Sequence, residues 1–176
     1  DRSLGTTDLP QGLPEDIVAL HFGSISLVLE PGASSFEALM RRESRKRTLS
    51  LDPNVRPTLI LDRAEYIKRL TAWIELVDIV RLSLADLAWL YPGVPAEDVV
   101  AKWLAAGPSL CIVTLGAQGA RAFSAYGATA SVGAPQTQVA DTVGAGDSFM
   151  AAALAYLHQH GFLQRRLRLR GISDAE

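Results

Sequence analysis

With a single cysteine and three histidines in 176 residues, the chain has little material for thiol or metal chemistry. Cys111 cannot form an intrachain disulfide, and its place in the apolar run LCIVTL predicts a buried core residue, which fits a reducing cytoplasm. His158 and His160 are two apart at a predicted helix end and face different ways, while His21 falls in a predicted strand far from both. A helical metal site needs spacing of three or four on one face, so no histidine metal site is expected. No apolar run reaches the length of a membrane span, and no basic-then-apolar signal peptide opens the chain. Neither sign of charge dominates: 17 Lys and Arg against 19 Asp and Glu give a net charge of −2, which argues against nucleic acid as a main partner. Fixed-period repeats and low-complexity tracts are also missing. What remains is a globular composition, 48% hydrophobic and 20% charged, long enough for one domain with a sizeable core.

Two glycine signatures are missing as well. There is no Gly-Lys-Ser/Thr of a Walker A loop, and the third glycine of a dinucleotide fingerprint is replaced by Phe149. The glycine-rich stretch that is present, ADTVGAGDSFMAAALAYL over Ala140 to Leu157, organises the chain. Gly144 and Gly146 flank Ala145, Asp147 follows, and an Ala/Leu-rich run then predicts a buried helix. The first N–H groups of a helix lack intrahelical partners and its dipole favours negative charge, so such a turn can receive an anion. A carboxylate at Asp147 would repel that anion, which makes sense if it accepts a proton from a group attacking a phosphate. An ordinary glycine-punctuated helix cap accounts for the same spacing.

Taken in order, residues 1 to 16 are polar and proline-punctuated, and IVALHF (Ile17 to Phe22) predicts a buried strand. Ser34 opens a helix that ends in the basic cluster Arg41, Arg42, Arg45, Lys46 and Arg47, expected as a solvated face complementing the helix dipole. Arg47 to Leu51 predicts a second strand running into DPNVRP (Asp52 to Pro57), whose prolines fix a loop with projecting polar side chains. In an open α/β sheet that strand end is a ligand position; a solvent-exposed turn is the plain alternative. Asp62 caps a helix with Ile67, Leu70, Ile74 and Val77 on one stripe, and Asp78 to Leu82 predicts strand three. Ser83-Leu84-Ala85-Asp86 has the form of a capping box, and Ala96 to Ala106 reads as an amphipathic helix. Leu110 to Leu115 predicts strand four, the glycines of TLGAQG turn it into a strand over Ala120 to Tyr126, and a strand of alternating character follows over Ala128 to Val132. The closing basic run, Arg165, Arg166, Arg168 and Arg170, is expected to be exposed, and Ser173 to Glu176 reads as a helix cap without its helix. Both ends therefore read as those of a fragment. Strands alternating with amphipathic helices imply a doubly wound α/β sheet with helices on both faces.

DTVGAGDSF resembles the C-terminal signature of the PfkB, or ribokinase-like, carbohydrate kinases. DPNVRP, SLAD and TLGAQG are similar to three further blocks of that family, in family order, with most similarity to fructokinases. The resemblance covers nearly the whole chain and implies that residues 1–176 are the C-terminal, nucleotide-binding part of a ribokinase-like domain, without its N-terminal strands and lid. It implies that Gly144, Ala145 and Gly146 form an anion hole and that Asp147 is the base activating a sugar hydroxyl. Asn54 and Arg56 would face substrate and phosphate, Thr114, Gly116 and Gly119 would lie against the nucleotide, and Asp86 would help hold magnesium. Asp86 stands in Ser-x-x-Asp where the family usually has Asn-x-x-Glu, so its cap role competes with the metal role. The implied reaction is transfer of the γ-phosphoryl of ATP, with Mg²⁺, to a sugar hydroxyl in the cytoplasm; a homodimer is admitted. The alternatives are a truncated, non-catalytic nucleotide-binding fragment or a 2-keto-3-deoxygluconate kinase-like enzyme.

Overall fold

The structure is a computed structural model that describes residues 3–136 and 138–163. Four parallel strands come first: β1 (Ala19–Gly23), β2 (Thr48–Asp52), β3 (Ile79–Ser83) and β4 (Leu110–Thr114). Two antiparallel strands, β5 (Ala120–Ser124) and β6 (Thr129–Val132), extend the sheet, which runs β1 to β6 in chain order. The helices are α1 (Gly32–Glu43), α2 (Arg63–Ile74), α3 (Leu84–Leu90), α4 (Ala96–Ala106) and α5 (Ala145–Gln159).

Strand alternation sorts the side chains into two unlike faces. Leu49 and Leu51, Val80 and Leu82, and Cys111 and Val113 meet Met40, Leu70, Trp73, Leu87 and Trp103 in the main core. The opposite face carries Ile79 toward Met150, Leu157 and Leu163, so α5 lies across the sheet from the other helices. Helices thus cover both faces, as expected of a doubly wound sheet. Local signals set several element ends. The Asp62 carboxylate accepts the Glu65 N–H at 3.0 Å and starts α2, and Ser83 and Asp86 close a reciprocal capping box at α3. Buried Asp78 accepts the Leu49 N–H at 2.9 Å, while its carbonyl accepts from Ser109 and Leu110, tying three strands together at one end.

Several expectations are corrected. The predicted strands shift by one or two residues, and α1 begins at Gly32 after Pro31 rather than at Ser34. Helix α5 is not buried: only Met150 and Leu157 are inside, and Tyr156 is 58% exposed. Alanine favours helix by intrinsic propensity with or without burial, so its run carried no information on depth. β6 is exposed throughout rather than alternating, because it is the sheet edge and neither face is covered. The basic cluster is only partly a solvated face. Arg42 and Arg47 both pair with Glu43, which is 1% exposed, and Arg47 also donates to the carbonyls of Leu13, Pro14 and Ile17. These bonds fasten the first residues to the end of α1. The run Arg165 to Arg170 and the cap at Ser173 lie outside the described residues.

Glu43→Ala should cost about 3 kcal/mol, because it strands two guanidinium groups that a buried carboxylate now neutralises. Arg41→Ala, which opens only the exposed pair with Glu37, should cost about 0.5 kcal/mol or less. Urea unfolding of the two variants checks the contrast; equal losses would mean that Glu43 is no staple.

Candidate functional site

Gly144 takes the N-cap of α5 in the left-handed region, at φ 77°, which a side chain would strain. No side chain caps this helix. The Ala145 N–H turns back to the Thr142 carbonyl at 3.2 Å, so the next amides of the first turn, Gly146 and Asp147, lack an intrahelical acceptor. Gly146 is glycine for a different reason. A Cβ there would stand 2.7 Å from Nη1 of Arg81 and 3.3 Å from its Cζ. Asp147 occupies the first turn and is exposed.

The DPNVRP loop leaves the end of β2 beside this turn. The Asn54 N–H donates to Asp52 Oδ1 at 3.0 Å, a side-chain turn that holds Asn54 at a φ of 40°. Arg56 folds back onto the loop, donating to the Asn54 carbonyl at 3.0 Å. TLGAQG forms one turn of 3-10 helix over Gly116–Gln118, with positive φ at Gly116 and Gly119. The Thr114 hydroxyl is engaged inward, accepting from Arg81 Nη2 at 2.7 Å.

All the residues singled out in the sequence converge. Asn54, Arg56, Asp86, Thr114, Gly116, Gly119 and Gly144 to Asp147 line one cleft of about 930 Å³. A second cavity of about 280 Å³ opens next to it, lined by His21, Ser24, Phe36, Asp52, Asn54 and Asp147. Asp147 and Asn54 therefore border both spaces.

The Asp86 carboxylate is committed to its capping box, with Oδ2 accepting from the Ser83 N–H at 3.0 Å and the Ser83 hydroxyl at 2.7 Å. It still lines the cleft, as does Asp147. Among the described residues no group of three His, Cys, Asp or Glu side chains is placed to hold a metal. The donor set suits a magnesium ion bound by one or two carboxylates together with the oxygens of a ligand.

Residues 7–169 match the family described as pfkB family carbohydrate kinase. The chain belongs to that family. It is 39% identical over 165 residues to a fructokinase of Rhizobium leguminosarum bv. trifolii, covering 94% of this chain and 50% of that protein. A crystal structure of fructokinase from Vibrio cholerae O395 with fructose, ADP and calcium superposes with a TM-score of 0.77 at 26% identity, covering 97% of this chain and 57% of that one. The fructokinase from Xylella fastidiosa with bound ATP gives a TM-score of 0.82 at 24% identity, covering 93% and 52%, a likeness of fold. The chain spans about half the length of the curated relatives it matches.

At the cleft of this PfkB-family chain, sequence reasoning missed three features. Arg81 lies on the floor of the cleft with its side chain 10% exposed, bound to Asp52 and Thr114. Val132, Ala134, Pro135 and Val143 give the cleft an apolar rim, with Val143 88% exposed. His21 opens into the smaller cavity and shares a hydrogen bond of 2.9 Å between Nδ1 and Ser50 Oγ. The signal for Arg81 was available: it is the one basic residue in the predicted strand Asp78 to Leu82, DIVRL. Cys111 is fully buried, and burial pushes its thiol up to about 12, far from nucleophilic use.

Burial pushes the Asp52 carboxyl above its ordinary value, against the pull of Arg81, 2.7 Å away, and of the Asn54 N–H. At His21 the ring is accessible from the cavity yet ringed by protein, and this desolvation holds the imidazole below its ordinary value of 6.5 against the opposing pull of Asp52 and Asp147. A lowered folded value means that the unfolded chain binds the proton first, so stability present above pH 6.5 is lost as pH falls through the folded value. Melting midpoints of wild type and His21→Asn should run parallel above pH 6.5 and converge or cross below it. Parallel curves throughout would show that His21 does not sense the cavity.

Proposed function

We propose that this chain is the nucleotide-binding and catalytic part of an ATP-dependent sugar kinase, fructokinase-like in its acceptor. The observation that carries the reading is the position of Asp147, at the opening of α5 and on the border of both cavities. A γ-phosphoryl group in the large cleft would meet the Gly144 to Gly146 turn, where the Ala145 N–H is taken by the Thr142 carbonyl and the Gly146 and Asp147 amides have no intrahelical acceptor, and the positive end of the α5 dipole. An acceptor hydroxyl entering from the smaller cavity would come within reach of the Asp147 carboxylate, which takes its proton as the oxygen attacks. Asn54 lies between the two spaces and Arg56 on the cleft side, placed to orient transferred phosphoryl and sugar. The Thr114 to Gly119 turn and the apolar rim fit a nucleoside. Magnesium bound with the nucleotide would offset phosphate charge, with Asp86 its nearest protein carboxylate by family position. The partners on this reading are a small sugar and ATP, in a single partial PfkB domain over 1–176 working in the cytoplasm, and light scattering would show whether it forms a homodimer.

The match to half of each relative favours a second reading for the chain by itself, nucleotide binding without turnover. Calorimetry on the 176-residue chain should find weak, magnesium-dependent ATP binding, and no heat at millimolar ATP would remove the nucleotide site from the reading. Joined to the unmatched half of the Rhizobium leguminosarum fructokinase, the chain should phosphorylate fructose. In that fusion Asp147→Asn should lower turnover about 10² to 10⁴-fold. ATP affinity should stay unchanged or tighten, because a like charge near the triphosphate is gone. Turnover within a few-fold of wild type would make Asp147 a helix cap and not a base.

A further inference from the structure

Arg81 belongs to none of the motifs that mark the cleft, yet it touches three of the segments that build it. Its Nη1 donates to Asp52 Oδ2 at 2.7 Å, at the root of the DPNVRP loop, and its Nη2 donates to Thr114 Oγ1 at 2.7 Å, at the root of the TLGAQG turn. The guanidinium lies against Gly146, where an added Cβ would stand 2.7 Å from Nη1 and 3.3 Å from Nη2 and Cζ. Phe149, one turn into α5, has its ring centroid 5.9 Å from Cζ. The Nε atom is buried without a hydrogen-bond partner among the described residues, so the group gives up part of its own solvation to hold this place. A planar fork can reach two acceptors on separate strands at once, whereas a lysine ammonium is a single point on a flexible stem.

We propose that Arg81 is a positioning residue of the phosphoryl-transfer site, a buried clamp that fixes the DPNVRP loop and the TLGAQG turn to one another and forms the seat on which Gly146 sets the height of the anion-receiving turn. This rests on the reading of the α5 turn as the phosphoryl site. It also explains why alanine does not replace Gly146. A free arginine would swing aside from a new methyl group at little cost, but one held by Asp52 and Thr114 cannot move without breaking both bonds.

The seat predicts a reversal of sign. Within a helix, alanine is more favourable than glycine, so Gly146→Ala should stabilise the chain wherever nothing opposes it. With Arg81 in place it should instead lower the melting midpoint by about 4 °C or more. In an Arg81→Ser background the same change should raise the midpoint or leave it unmoved. If Arg81→Ser alone does not fold, because the Asp52 carboxylate is left buried without its cation, Arg81→Ser with Asp52→Asn is the background for the same comparison. An equal loss in both backgrounds overturns the seat.

Arg81→Lys separates positioning from general stability. Amide exchange should quicken about tenfold or more at residues 142–149 and 52–57 while the core helix α2 keeps its protection. Exchange that rises everywhere, or nowhere, overturns the clamp. In the fusion that phosphorylates fructose, Arg81→Lys should lower kcat about tenfold or more with KM for ATP within a few-fold, since a misplaced turn fails the transition state more than the ground state. A wild-type kcat in this variant overturns the positioning role. If the unaltered fusion transfers no phosphate, the kinase reading fails, while the sign reversal and the exchange pattern still decide whether Arg81 sets the turn.

Discussion

Everything at the cleft depends on the alternation of side chains along three central strands. Because Leu49, Leu51, Val80, Leu82, Cys111 and Val113 must face the main core, Ser50, Asp52, Ile79, Arg81, Ser83 and Thr114 are committed to the face that α5 crosses. Along that face the character changes from one end to the other. Ile79 and Leu110 take part in the apolar contact with Met150 and Leu157, whereas Asp52, Ser83 and Thr114 end their strands. Helix α5 runs over this gradient with its glycine opening at the polar end. The polar end can be buried only because its members bond to each other: Arg81 with Asp52 and Thr114, Asp52 with the Asn54 N–H, Ser50 with His21. The cleft is thus the place where the sheet becomes polar, and the loops grow from that edge.

A site proposed for a triphosphate would be expected to be positive throughout, and this one is not. Asp86 and Asp147 line the same cleft as Arg56 and Arg81, and Asp52 lines the smaller cavity beside it. Their commitments differ, which removes the paradox. Asp52 is neutralised by Arg81, Asp86 is tied into the α3 cap, and Asp147 stands exposed without a basic partner among the described residues. Of the three carboxylates the exposed one is the one the proposed reading gives the proton, with the N-terminal end of the α5 dipole beside it.

What was legible in the sequence was local. The boundaries of α4, the cap at Asp62, the capping box at Ser83 and the glycine opening of α5 each depend on residues within four positions of one another, and each could be read. The convergence of four separated motifs on one cleft followed from strand ends in an open α/β sheet, and from the family resemblance. The misses were non-local. Arg42 and Arg47 looked like an exposed cationic face because nothing in their neighbourhood reveals that Pro10, Leu13, Pro14 and Ile17 fold back to receive them. The alanine-rich run of α5 looked buried because composition records helix preference and apolarity together. Arg81 is the instructive case: a single cation in an otherwise apolar strand reads as noise until Asp52 and Thr114, 29 and 33 residues away, are seen to meet it.

The two glycines of the anion turn show how a short motif can hold both kinds of information. Gly144 answers to its own backbone: at a φ of 77° with nothing within 4 Å of its missing Cβ, the constraint is conformational and would be met by any chain making this turn. Gly146 answers to another part of the molecule, since its backbone lies inside a regular helix and only the Arg81 guanidinium forbids a side chain. A spacing of Gly-x-Gly therefore does not mean one thing twice. The first glycine bends the chain into the cleft wall at the opening of α5, and the second lets that bend settle onto a charge fixed from the sheet below. Removing the strand cation would leave the motif intact in sequence while taking away what the second glycine is for.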